Sequence, residues 1–131
     1  MKNLKKSLGQ NLLNDKNIRN KIIKSTDIVN KKIIEIGPGT GFLTDAIIHE
    51  NPNKLVLIEK DRRMYCDLIK KYKNLKNVEI HNQDALYFDY NKYVNYNIIS
   101  NLPYNISSKL ILIFFEYNLN FNEIILMIQK E

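Results

Sequence analysis

The chain has 131 residues, of which 44% are hydrophobic and 26% charged, the composition of an ordinary globular domain with material for one core. A single cysteine, Cys66, excludes a disulfide framework, and neither His49 nor His81 has spaced Cys or His neighbours, so no structural metal is expected. The net charge of +6 is uneven: residues 1–32 carry nine basic side chains against Asp15 and Asp27 (+7), and the remainder carries eleven against twelve acidic ones (−1). A basic arm on a neutral body fits a polyanionic partner held at one edge of the fold, although a lysine face that merely solubilises the protein has the same charge.

The lysine-rich start, Met1 to Gln10, lacks the apolar core of a signal peptide, and no run approaches the roughly 18 apolar residues of a membrane span, so a soluble, cytoplasmic protein is expected. Asn14 to Lys24 places Ile18, Ile22 and Ile23 at helical spacing, with Asn14 or Asp15 as N-cap. Lys32 to Ile36 is a short β-branched run that breaks into Gly37-Pro38-Gly39-Thr40-Gly41, the pattern of strand, tight loop and helix. The helix should run from Phe42 to His49 and stop before Asn51-Pro52-Asn53. Leu55 to Ile58 is a second strand ending in Glu59, followed by a helix-favouring stretch from Asp61 to Tyr72. Val78 to Ile80 is a third strand, leading into Asn82-Gln83-Asp84. Tyr96 to Ser100 is a fourth, opening onto Asn101-Leu102-Pro103-Tyr104, and Ser107 to Tyr117 reads as a helix capped by Ser107 or Ser108. Ile124 to Ile128 is a fifth strand.

Strands alternating with helices predict one α/β domain, a parallel sheet flanked by helices on both faces. In such sheets a ligand sits beyond the carboxyl ends of the strands, where strand order reverses. The glycine run, Glu59, Asp84 and the Asn101–Tyr104 cluster all follow strand ends and should line one crevice.

Glycines at 37, 39 and 41 allow a sharp turn and close approach to the backbone, but their spacing departs from the Gly-x-Gly-x-x-Gly of dinucleotide binders. The loop fits better an aminoacyl-nucleoside that lacks a pyrophosphate. A carboxylate at Glu59 suits the two vicinal hydroxyls of a ribose, through charge-assisted bonds of roughly 1.5–3 kcal/mol each. The alternative is a surface Glu59 paired with Lys60 or Arg62, a contact of about 0–1 kcal/mol. Asp84 could accept a hydrogen bond from an exocyclic adenine amine or cap the turn at Ala85-Leu86.

Asn101-Leu102-Pro103-Tyr104 is the most informative cluster. An adenine amine is a weak nucleophile because its lone pair is delocalised into the ring. Acceptors on both of its N–H groups, such as the Asn101 side-chain oxygen and a neighbouring carbonyl, favour a tetrahedral nitrogen with a usable lone pair. Pro103 stiffens the turn, and Tyr104 offers a π face on which a base stacks for about 1–3 kcal/mol. An Asn-Pro turn followed by a packed tyrosine is the plainer reading.

Together, Lys6-Ser-Leu-Gly-Gln-Asn-Leu-Leu13, Glu35-Ile-Gly-Pro-Gly-Thr-Gly-Phe-Leu-Thr44, Ile58-Glu-Lys-Asp-Arg62, Gln83-Asp-Ala-Leu86 and Asn101-Leu-Pro-Tyr-Asn-Ile-Ser107 resemble the ribosomal RNA adenine dimethyltransferase family. That family includes the small-subunit enzymes, their eukaryotic counterparts and the 23S erythromycin-resistance methyltransferases. The resemblance implies a Rossmann-like class I methyltransferase fold, S-adenosylmethionine as cofactor, and successive transfer of two methyl groups to N6 of adenines in ribosomal RNA. It assigns cofactor contacts to Asn11, Leu13, Gly37, Glu59, Asp84 and Asn101, and the catalytic cluster to Asn101, Pro103 and Tyr104. Leu102 and Gln129-Lys130-Glu131 resemble the small-subunit branch more than the resistance branch, where Asn-Ile-Pro-Tyr is usual. A monomer without metal, working on the small ribosomal subunit precursor, is expected. Family members are longer, with two more strands, a further aromatic that closes over the target base, and a C-terminal helical RNA-binding domain. Residues 1–131 would then be the cofactor-binding part of the methyltransferase domain, cut after the fifth strand.

Overall fold

The computed structural model describes residues 15–117 and 119–129. Nine elements succeed one another in chain order among them: α1 (Lys16–Lys24), β1 (Lys32–Ile36), α2 (Phe42–His49), β2 (Lys54–Ile58), α3 (Arg62–Tyr72), β3 (Val78–His81), β4 (Asn97–Pro103), α4 (Tyr104–Glu116) and β5 (Glu123–Gln129). The first three helices and first three strands match the expected spans within a residue or two. Asp15 caps α1, accepting from the Asn17 and Ile18 amides at 2.8 and 3.3 Å, and Asp61 caps α3, accepting from Arg63 and Met64 at 2.8 and 3.1 Å. Each such cap stabilises its helix by about 1 kcal/mol.

The strands form one parallel sheet in the order β3-β2-β1-β4-β5. Both faces are covered, which is why β1 and β2 read as nearly unbroken apolar runs. Alternation along the strands sorts the core into two layers. Ile33, Leu55, Leu57 and Ile99 meet Ile22 of α1, Leu43 and Ile47 of α2 and Leu68 and Tyr72 of α3. On the other face, Ile34, Ile36, Val56, Ile58 and Ile98 meet Leu110 and Phe114 of α4 and the aromatic segment Phe88, Tyr90, Tyr93 and Tyr96. No helix among the described residues is long and apolar enough to cross a membrane.

The region around Asn101 departs from expectation. The fourth strand does not open into a loop after Ser100 but stays extended through Pro103, because β5 pairs with it along its whole length, from Asn97↔Glu123 to Pro103↔Gln129. Pro103, at φ −56° and ψ 150°, ends the strand and is itself the N-cap of α4. The helix therefore starts at Tyr104, and neither Ser107 nor Ser108 caps it. Both lie inside the first turns, where their hydroxyls donate to the Leu102 carbonyl at 3.5 Å and the Asn105 carbonyl at 3.1 Å. The Pro103 ring presets φ at the corner between strand and helix, and no side-chain hydrogen bond caps α4.

Candidate active site at the strand ends

Strand order reverses between β1 and β4, whose following segments leave the sheet in opposite directions. The glycine loop follows β1, and the Asn101–Tyr104 run closes β4. The two touch: a Cβ on Gly37 would lie 2.6 Å from Leu102 Cδ2, and the Ser100 hydroxyl donates to the Ile36 carbonyl at 3.3 Å.

All three loop glycines have positive φ, +71°, +59° and +92° for Gly37, Gly39 and Gly41, a backbone that side-chain-bearing residues rarely adopt. Close approach has different causes at each. Gly37 is crowded by Leu102, and Gly41 by the Tyr72 hydroxyl, which stands where its Cβ would be. Only Gly39 borders a cradle, its nearest neighbour being Met64 Sδ at 3.9 Å. The spacing of the run suggests room cleared for a ligand; at two of its three positions that room is taken by the protein itself.

Glu59 is 2% exposed, so the surface-pair reading fails. Its Oε1 accepts from the Gly39 amide and its Oε2 from the Asp61 amide, each at 2.9 Å. The carboxylate thus ties the glycine loop to the start of α3, and each of its oxygens carries two lone pairs. Asn82 extends the row by donating to the Glu59 and Lys60 carbonyls at 2.9 and 3.1 Å. Asp84 caps its turn, the plainer of its two expected roles: Oδ1 accepts from the Leu86 amide at 3.0 Å, and Oδ2 pairs with Lys60 at 3.1 Å. Its partly exposed carboxylate still stands at the end of the same row.

Asn101 is buried in β4, and Tyr104, the first residue of α4, is 57% exposed, so it is not the packed tyrosine of an ordinary turn. Beneath the glycine loop lies Glu35, which accepts a hydrogen bond from the Thr44 hydroxyl. Burial raises its pKa to about 8, the Thr44 bond opposes that rise, and the nearby charges of Glu59 and Asp45 add to it. Sequence reasoning missed Asn82, Tyr72 and Asp45 as parts of this region; none carries a motif, and Asn82 shows only once β2 and β3 lie side by side, Tyr72 and Asp45 only once α3 packs against α2. Asn11 and Leu13 lie outside the described residues. No group of three or more potential metal ligands occurs among the described residues.

A loop with three left-handed glycines after β1, carboxylates after β2 and β3 and a rigid Asn-Leu-Pro-Tyr run at the reversal point define a Rossmann-like fold of the methyltransferase class. Solved structures agree: an RNA methyltransferase of Salinibacter ruber in complex with S-adenosyl-L-homocysteine superposes with a TM-score of 0.67 at 19% identity, covering 80% of this chain and 70% of that one. A dimethyladenosine transferase of Plasmodium falciparum superposes with a TM-score of 0.76 at 33% identity, covering 92% of this chain and 44% of its own. The model of the family described as ribosomal RNA adenine dimethylase matches residues 1–131, and the chain belongs to that family. A ribosomal RNA small subunit methyltransferase A of Mesomycoplasma hyopneumoniae strain 232 is 44% identical over 97% of this chain and 48% of its own length. The chain spans about half the length of the curated relatives it matches.

Proposed function

We propose that the protein transfers methyl groups from S-adenosylmethionine to N6 of adenines in small-subunit ribosomal RNA, in the cytoplasm, and that these residues form its cofactor-binding part. One observation carries the reading: in a chain of this family, the glycine loop and the Asn101–Tyr104 run meet across the β1–β4 reversal. The residues present fit the cofactor. Glu59 brings a buried carboxylate to the end of β2, Asp84 stands at the end of β3, and a Cβ at Gly39 would meet only Met64 Sδ, at 3.9 Å.

When bound, the cofactor supplies a methyl group on a sulfonium and so needs no separate activation. Glu59 would hold the ribose hydroxyls and Asp84 the adenine amine. Asn101 would accept from the N6 amine of the target base, drawing its lone pair out of conjugation. Tyr104 would stack on that base from its exposed position, while Pro103 holds the strand-to-helix corner rigid. With the electrophile in place, no strong general base is required.

Incubating the protein with labelled cofactor and undermethylated small subunits is expected to label adenine N6. Label on cytosine, on protein or on 23S RNA instead would overturn the assignment. The second reading is a cofactor- or RNA-binding module without turnover, which calorimetric binding in the absence of transfer would support. Glu59→Ala should weaken S-adenosylhomocysteine binding about 100-fold, the loss of roughly 3 kcal/mol of charge-assisted bonding. Unchanged affinity would contradict the ribose role.

A further inference from the structure

The glycine loop is held from two sides, and only one of them faces the proposed ligand. On the inner side Glu59 grips the Gly39 amide. On the outer side the last two residues of α3 reach over the loop's exit. The Tyr72 hydroxyl donates to Asp45 Oδ1 at 2.6 Å and lies 3.3 Å from the Gly41 carbonyl oxygen. Lys71 Nζ donates to the other Asp45 oxygen at 2.8 Å and stands 3.4 Å from the Thr40 carbonyl oxygen. Both oxygens of Asp45, in the first turn of α2, are thus taken by α3. The Tyr72 ring is 5% exposed and seated in the core with Leu43 and Leu68, so the hydroxyl has a fixed origin.

We propose that Tyr72 is a positioning residue for cofactor binding, acting through Asp45 and the Gly41 carbonyl to hold the glycine loop in its binding conformation before the ligand arrives. The proposal rests on the cofactor reading above. Its physical basis is entropic: a segment with three glycines has more backbone freedom to lose than any other, and a loop already ordered binds without that loss. Glu59 cannot do this alone, because its carboxylate is the group shared with the ribose. Gly41 is the counterpart of Tyr72, since the hydroxyl occupies the place of a Cβ at residue 41.

The test is S-adenosylhomocysteine binding by calorimetry, paired with thermal melts of the ligand-free protein. Tyr72→Phe keeps the buried ring and removes only the hydroxyl, so it should weaken binding about 5- to 20-fold while the ligand-free Tm stays within a few degrees. Amide exchange at Gly39, Thr40 and Gly41 should quicken in the same variant without ligand. Affinity unchanged in Tyr72→Phe, or a lowered Tm with affinity and loop exchange unmoved, overturns the proposal and leaves Tyr72 a core residue. Absence of binding by the parent protein would overturn the cofactor reading and this proposal together, an outcome distinct from a failure confined to the variant.

Discussion

Asn101→Ala is expected to slow methyl transfer about 100- to 1,000-fold in protein that is active, with cofactor affinity falling less than about tenfold. The asymmetry follows from the role proposed for the side chain. An acceptor that draws the amine lone pair out of the ring acts on the nitrogen as it becomes nucleophilic, and so contributes to the transition state more than to either bound partner. Its placement is rigid: Asn101 is buried in β4, registered against Met127 of β5, and followed two residues later by the proline that ends the strand. Asn101→Asp keeps an acceptor at the same place and should retain more activity than the Ala variant. A kcat for Asn101→Ala within about fivefold of the parent protein would remove Asn101 from the chemistry, whatever happened to KM.

Most of the architecture is legible in the sequence because its signals are local. The spans of β1, α2 and β2 come from β-branched runs interrupted by glycine and Asn-Pro punctuation, that of α1 from isoleucines at helical spacing and that of α3 from a charged, helix-favouring stretch. The departure at Asn101–Ser107 marks where local signals stop. Asn-Leu-Pro-Tyr has the look of a turn, and only the partner strand β5, some 25 residues further on, keeps it extended. Propensity gives way to a nonlocal ladder of hydrogen bonds.

Within the site, residue types are easier to foresee than reasons. Glu59 stands out as a carboxylate at a strand end, but its grip on the Gly39 amide needs the two strand ends side by side. The glycine run is evident, yet the crowding of Gly37 by Leu102 and of Gly41 by Tyr72 couples residues far apart in the chain. Gly41→Ala should accordingly cost more than the 1–3 kcal/mol or so of a left-handed non-glycine residue, because the methyl must also displace a hydroxyl. Adding Tyr72→Phe should recover part of that loss, which urea unfolding of the single and double variants would measure.

Glu35→Gln should change the pH dependence of stability by about 4 kcal/mol between pH 5 and pH 9. The native carboxyl, with its pKa raised to about 8 chiefly by burial, remains protonated where the unfolded chain, near 4.5, is already ionised. The native state therefore binds the extra proton between those values, so stability falls as pH climbs from about 4.5 to about 8 and levels off above. Glutamine has no such proton to lose. It leaves amide hydrogens without the carboxyl's arrangement, so the variant starts less stable at pH 5, then gains on its parent as pH rises. Glu79 acts in the opposite sense and in another window. Burial alone would raise its pKa, but hydrogen bonds from His81 and Tyr93 and the charges of His81 and Lys54 hold it at about 2. Its contribution is present above about 4.5 and lost toward pH 2, and because it is common to both proteins the difference between them reports on Glu35. Urea midpoints for both proteins across that range decide the matter. Parallel curves would mean that Glu35 is ionised in the native state, and that the glycine loop rests on a buried charge rather than on a neutral acid hydrogen-bonded to Thr44.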